Sequence, residues 1–281
     1  MKQSSWGCTI FIQLSLCLIV YVSLHLGHPF FSSNDVDNAT PLDLYFISVA
    51  GGGFRPLHRQ THLLRLMEKA AETYKAKFVV SSSEHGEDDP LLQHASRVSS
   101  SLKLPWYTRR KGSGYSRERI AMPFNGSLDV VFVDIGSLQQ EVFAGTLNGS
   151  MISQLKGLTR ILKAADGDWR IVVGSDSLLT LRKEAKEVTR TFHQIMTKYG
   201  VNLYISEKGC TSGGISESFT CITVPNQSEN RGLTSDSNKR EIEDGFLLHR
   251  VSFSDFVTYT INSSGQVIDP RLVKQKGKET I

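Results

Sequence analysis

Apolar residues are unevenly spread along this chain. Residues 7–27, GCTIFIQLSLCLIVYVSLHLG, carry no charge. The stretch from Cys8 to Leu26 approaches the ~20 residues needed to cross a bilayer and is longer than the apolar centre of an ordinary signal peptide. Tyr21 and His25 spoil the small-residue pattern that cleavage near Ser23 or Gly27 would need. The segment predicts an uncleaved signal anchor with Lys2 and the N-terminus cytoplasmic, by the positive-inside bias. A cleaved signal peptide, and hence a secreted chain, is the alternative. Residues 28–42, rich in Ser, Asn, Asp and Pro, predict a linker.

Beyond the linker, short apolar runs alternate with amphipathic stretches. DLYFISV (43–49) predicts a strand ending at Gly51-Gly52-Gly53. Leu63, Leu64, Met67, Ala70, Ala71 and Tyr74 share one face of a helix starting near Pro56. AKFVVS (76–81) predicts a strand and residues 88–102 a helix. LDVVFVDI (128–135) has little polar interruption, as expected of a strand buried on both faces. A helix over 150–165, a strand over 169–174, a helix over about 180–199 and a strand over 201–206 follow. The end of the chain changes character. Segments 217–223, 245–253 and 256–269 predict strands with no helix between them, and 226–244 predicts an exposed polar loop. The pattern describes a layered α/β domain that finishes in antiparallel strands, spanning about 43–270, with a frayed tail over 271–281.

Composition narrows the function. The 281 residues suffice for a full core, and the net charge of +4 lacks the strong basic face of a nucleic-acid binder. Both readings of the N-terminus place the rest of the chain in the secretory lumen or outside the cell. Five N-x-S/T sequons, at Asn38, Asn125, Asn148, Asn226 and Asn262, agree with that placement and predict glycosylation. Two of the four cysteines, Cys8 and Cys17, lie in the apolar segment. Cys210 and Cys221 remain, for which a local disulfide and two buried free thiols are the competing expectations.

In α/β domains, ligands collect at the carboxyl ends of strands. The segments expected there are GGG (51–53), SSSEHGED (81–88), a basic loop in PWYTRRKGSGYSRER (105–119), GSDS (174–177) and SEKGC (206–210). They are small, polar and poor in catalytic pairs. The glycine triplet lacks the Lys-Ser/Thr of a P-loop, so its anion-cradle reading competes with plain turn glycines. No GxSxG frames Ser175 and Asp176.

The order of these segments resembles the calcineurin-like metallophosphoesterases, most closely the small purple acid phosphatases. FISVAGGG resembles a strand ending in D-W-G. AKFVVSSSEHGEDDP resembles FVV-x-x-GDNFY with a later DP, and LPWYTRRKGSGY resembles PWY-x-x-x-GNHDY. WRIVVGSDSLL is similar to W-x-IVVGHHPL, YGVNLYISEKGC to YGV-x-LYL-x-GHDH, and 245–269 to the family's closing strands. The resemblance runs from about Asp43 to Asp269. It implies a β-sandwich of two mixed sheets flanked by helices. In the family these motifs hold two metal ions. Here their ligand positions carry Gly51, Glu84, Glu87, Gly112, Ser175, Lys208 and Cys210, and the histidine beside the leaving group is replaced by Ser113.

Glycine donates nothing, serine is a poor ligand, and a lysine ammonium repels a cation. The resemblance therefore predicts a phosphoesterase scaffold with no metal, cofactor or catalytic residue, serving as a binding or interaction module anchored to a membrane. An active enzyme with an atypical metal site near Glu84, His85 and Glu87 is the alternative. Arg109, Arg110, Lys111 and Lys208, together with Arg117 and Arg119, are expected to converge on the former active-site mouth. There they could hold a phosphorylated or other anionic ligand. No feature of the chain names a protein partner.

Overall fold

The computed structural model describes residues 13–16, 43–53, 55–98, 102–110, 114–134, 149–174, 186–207, 219–226 and 244–275. The chain divides into two units, Met1–Asn38 and Ala39–Ile281. Within the first, only residues 13–16 are described, and they are helical. The proposed membrane anchor thus lies almost wholly outside the described residues. Among the described residues no helix is long and apolar enough to cross a membrane.

The second unit is a sandwich of two mixed sheets. One has the order β11-β10-β9-β1-β2-β3 and the other β4-β5-β6-β7-β8. Its strands are β1 (Leu44–Val49), β2 (Val79–Ser81), β3 (Trp106–Tyr107), β4 (Tyr115–Ala121), β5 (Ser127–Val133), β6 (Trp169–Gly174), β7 (Leu203–Ser206), β8 (Thr220–Thr223), β9 (Gly245–Val251), β10 (Asp255–Asn262) and β11 (Val267–Lys274). Among the described residues, four α-helices connect them: α1 (Leu57–Tyr74), α2 (Pro90–Val98), α3 (Gly149–Ala164) and α4 (Lys186–Lys198).

Strand alternation explains the unbroken apolar runs. Val130, Phe132, Ile171 and Val173 turn into the space between the sheets, where they meet Phe46, Phe78, Leu247 and Phe256. Val131, Val133 and Val172 turn the other way and pack with Leu158, Leu162, Phe192 and Met196 of α3 and α4. A strand buried on both faces has no polar positions to alternate with. Each fully buried Phe or Leu stabilises the fold by about 2 kcal/mol relative to exposure.

A cluster of three polar side chains, His249, Ser48 and Thr258, interrupts the inter-sheet core. His249 on β9 is fully buried, stacks on Phe46 at 4.4 Å, and hydrogen-bonds Thr258 and Ser48 at 2.9 Å each. Burial pushes its pKa down to about 3, so the ring is neutral and serves the packing.

Several sequence expectations change. Residues 256–269 form two strands, because Asn262 turns the chain between β10 and β11. Its side-chain oxygen accepts the N–H groups of Ser264 and Gln266 at 3.0 and 2.8 Å. β11 continues to Lys274, into the expected frayed tail. β8 lies parallel to β7, so only β9 to β11 form the antiparallel finish. β4 was not expected at all. Its sequence, YSRERIA, carries three charges, and it lies at a sheet edge where charged residues are tolerated and block further pairing.

Candidate functional site

The carboxyl ends of β1, β2, β5, β6 and β7 gather on one side of the sandwich, where the family would hold its metals. β1 delivers Gly51 and Gly52 to that place. β2 delivers Ser83, followed by a turn and the one-turn 3₁₀ helix Gly86–Asp88. Asp89 then caps the N-terminus of α2, accepting the N–H of Leu91 at 2.8 Å.

Asp89 does more than cap. It is 1% exposed. Its two oxygens accept the N–H of Gly52 at 3.1 and 3.0 Å, and Ser83 donates its hydroxyl to the same carboxylate. Ser83 Oγ in turn accepts the N–H of His85 at 3.1 Å. This knot fills the space beside Gly51. A Cβ on Gly51 would stand 2.7 Å from Ser83 Oγ and 2.8 Å from Asp89 Oδ2. Gly52 is packed as tightly, with Leu91 Cβ 2.6 Å from where its own Cβ would lie. The aspartate that the family carries at position 51 therefore has no room here.

The described residues do not fit a dinuclear metal centre. Between the strand ends, beside Ser82, Ser83, Arg109, Val133 and Gly174, lies a cavity of about 10 Å³. That holds one water at most. Glu84, His85 and Glu87 are exposed on the turn after β2. Among the described residues, no three His, Cys, Asp or Glu side chains are grouped to hold an ion. Ser113, Ser175, Lys208 and Cys210 lie outside the described residues.

A second polar cluster was not expected from the sequence. Arg55, 4% exposed, reaches back over the end of β1. Its guanidinium donates to Ala50 O at 3.0 Å, Gly51 O at 2.7 Å and Pro225 O at 3.3 Å, and pairs with Asp244 at 2.9 Å. Beside it lies Glu207, one residue beyond β7. Asn226 donates its amide to Glu207 Oε1 at 2.7 Å. Burial pushes the Glu207 carboxyl up to about 7, against the lowering influence of Arg55; the charges of Glu84 and Asp89 raise it further, and the Gly51 N–H lowers it. The only sequence signal for this cluster is position: Arg55 follows the glycine triplet, and Glu207 falls within the SEKGC segment.

Among the described basic residues, Arg109 lies at the strand ends, whereas Arg117 and Arg119 do not join it there. Arg109 pairs with Asp134 and donates to Glu84 O. Arg110, 63% exposed, pairs with Glu118 at 2.6 Å. Arg117 and Arg119 sit on β4 and point away from the mouth. Arg117 donates to Ala164 O at the end of α3, and Arg119 pairs with Asp166 at 2.7 Å, near the amino end of β6. A sequence reader sees a basic loop here, whereas the edge strand β4 disperses it. Lys111, like Lys208, lies outside the described residues.

The sequons also separate. Asn125 is exposed, in the left-handed region at φ 58°. Asn226 is engaged with Glu207. Asn262 is 1% exposed and holds the β10–β11 turn, so the folded hairpin does not present its amide to a glycan. Asn38 and Asn148 lie outside the described residues. Cys221 on β8 is disulfide-bonded, and Cys210, its expected partner, lies outside the described residues.

No family model and no curated protein matches this chain. Solved structures do. GAP50, the anchor in the inner membrane complex of Plasmodium, superposes with a TM-score of 0.59 at 16% identity, over 85% of this chain and 91% of that one. The blocks of sequence quoted above fall in order on β1, β2, β3, β6, β7 and the closing strands. The fold is that of the calcineurin-like metallophosphoesterases. Two further structures match with TM-scores of 0.37 and 0.39, too low to add to this. One is a conserved protein of Streptococcus pneumoniae described as a predicted phosphoesterase, at 11% identity over 83% of this chain and 98% of that one. The other is a single mutant of Vps29 from Entamoeba histolytica, at 9% identity over 82% of this chain and 99% of that one.

Proposed function

We propose that this protein is a catalytically inactive member of the metallophosphoesterase fold that works in the secretory pathway as a binding or interaction module. In this reading its N-terminal segment anchors it as a single-pass type II membrane protein. The supporting observation is at Gly51: the position of the first metal-binding aspartate has no side chain, and Asp89 and Ser83 occupy the space beside it. The similarity to a structure described as an anchor in a membrane complex fits a non-catalytic role. A lumenal Cys210–Cys221 disulfide and glycans at Asn38, Asn125 and Asn148 belong to the same proposal.

An anionic ligand at Arg109, Arg110, Lys111 and Lys208 is a weaker form of it. Arg109 and Arg110 already face Asp134 and Glu118, so an anion would have to displace protein carboxylates.

Turnover of a generic phosphomonoester by the full-length chain, with and without added iron, zinc and manganese, tests the proposal. The expected result is no hydrolysis above buffer in any condition. Metal-dependent turnover that is lost in Glu84→Ala would replace the proposal with an enzyme built on Glu84, His85 and Glu87.

A further inference from the structure

The end of the sandwich opposite the former metal region receives the chain from its N-terminal segment. Asp43 leads into β1 there, and Leu44 is in register with Val251 of β9. Val251 pairs with Phe256 of β10, and Phe256 with Val273 of β11. The β9–β10 turn, Ser252-Phe253-Ser254, therefore sits beside the point where residues 27–42 arrive from the apolar run. Phe253 is 60% exposed, and Leu272, two residues before the end of β11, is 58% exposed.

Single exposed apolar side chains are ordinary on a protein surface. Phe253, however, is carried on a turn whose polar groups are already engaged. Ser252 Oγ accepts the N–H of Asp255 at 2.9 Å and that of Ser254 at 3.3 Å. The Ser252 N–H donates to Asp255 O at 2.8 Å, and its carbonyl accepts Trp169 Nε1 at 3.0 Å. The turn is thus tied to the buried Trp169 and holds Phe253 in place. Backbone groups bonded within the protein can leave water for a lipid environment at low cost, and unbonded ones cannot. Charge at this corner is nearly balanced. Arg250 pairs with Asp255 at 3.1 Å beside Asp43, and exposed Lys75 and Lys77 lie at the amino end of β2. The apolar side chains, not a charged field, set what this corner can meet.

We propose that this corner rests on the bilayer surface, with Phe253 and Leu272 at the boundary between headgroups and acyl chains. The inference rests on the reading of the N-terminal segment as a membrane anchor. A small contact suffices because the tether is short. Residues 27–42 span at most about 55 Å when fully extended. A contact held that close has an effective concentration of order mM, so even a weak one is populated. The former metal region then faces away from the membrane. Asn125 precedes β5 at the same end, but at the edge shared by β3 and β4, away from β11, so a glycan there is compatible with contact at the β9–β11 corner.

The test uses the full-length chain in phosphatidylcholine vesicles, with and without lipids brominated high on the acyl chains, which quench tryptophan emission on contact. Flotation after an alkaline wash reads the anchor. Phe253→Trp adds a reporter at the corner. Leu57→Trp adds one at the opposite end, where α1 begins beyond the carboxyl end of β1 and Leu57 is 65% exposed. Interfacial side chains lie only ~5–10 Å deep, so the emission added at position 253 should fall by about half or more, and that added at position 57 by less than about a tenth. Leu272→Trp should also be quenched, and adding Phe253→Asp should abolish that quenching while the melting temperature stays at the parent's. A chain that floats but is quenched equally at 253 and 57, or at neither, overturns the docking and leaves the anchor reading standing. A chain that washes off the vesicles overturns both. Emission added at 253 that is shielded in detergent, increasingly so with protein concentration, would assign the corner to a second copy of the chain and overturn the proposal.

Discussion

Asp89 and Glu207 are two carboxylates placed against the same turn, one accepting the N–H of Gly52 and the other that of Gly51. Their surroundings differ. Asp89 receives the Gly52 and Leu91 N–H groups and the Ser83 hydroxyl. Glu207 has Asn226 and the Gly51 N–H, with Arg55 close by, and burial still carries its pKa up to about 7. A buried carboxylate is tolerated in its charged form in proportion to the donors aimed at it. Around Gly51, then, the turn is stabilised on the Asp89 side and left under electrostatic strain on the Glu207 side.

The strongest way to break this comparison is Gly51→Asp, which restores the family's residue. Its Cβ would meet Ser83 and Asp89 inside 3 Å, and its carboxylate would face Asp89. Overpacking together with an unpaired buried charge should cost about 4 kcal/mol, read as a fall in the urea midpoint, with no gain in metal affinity. If Gly51→Asp folds normally and takes up metal, the knot is not what excludes the metals.

Glu207→Gln should have the opposite sign. A carboxyl with a raised folded pKa binds its proton more tightly in the folded than in the unfolded state. Its ionisation therefore removes stability as pH rises from the ordinary glutamate value of 4.5 through about 7. The amide avoids that loss. The variant should gain up to about 3 kcal/mol at pH 8 and nothing below pH 4.5, measured as the difference in melting temperature across the range. A gain independent of pH would show that packing, not charge, strains Glu207.

Asp89→Asn sharpens the other half. The amide N–H₂ cannot accept from the surrounding donors, so at least one is left unpaired, at a cost of about 2 kcal/mol by urea denaturation. An effect as small as that of a surface change would mean that the knot is looser than its distances indicate. Arg110→Ala sets the lower bound. Arg110 and Glu118 are an exposed pair, and its loss should move the midpoint by less than about 0.5 kcal/mol.

Much of the scaffold was legible in the sequence because burial on both faces leaves continuous apolar runs: LYFISV, LDVVFV, WRIVVG and LYIS all mark strands of the sandwich. β4 escaped notice because an edge strand needs no such run, and its arginines suggested a loop instead. The missing side chain at position 51 could also be read, since glycine there is a residue identity and not a contact. The contacts around it could not. Asp89 meets Gly52 across 37 residues, Arg55 meets Asp244 across 189, and Glu207 meets Asn226 across 19; only the folded sheets bring these groups together. The same holds for Asn262, whose sequon is visible in sequence and whose turn-capping role is visible only in the hairpin.

Metal stoichiometry of the full-length chain, purified from a secretory host and then dialysed against iron, zinc or manganese, tests the central claim most directly. With Asp89 and Ser83 filling the place beside Gly51, each metal should remain well below one ion per chain, and the melting temperature should not respond to it. One to two ions per chain, with a metal-dependent rise in melting temperature, would contradict the account and restore a working metal centre to this fold.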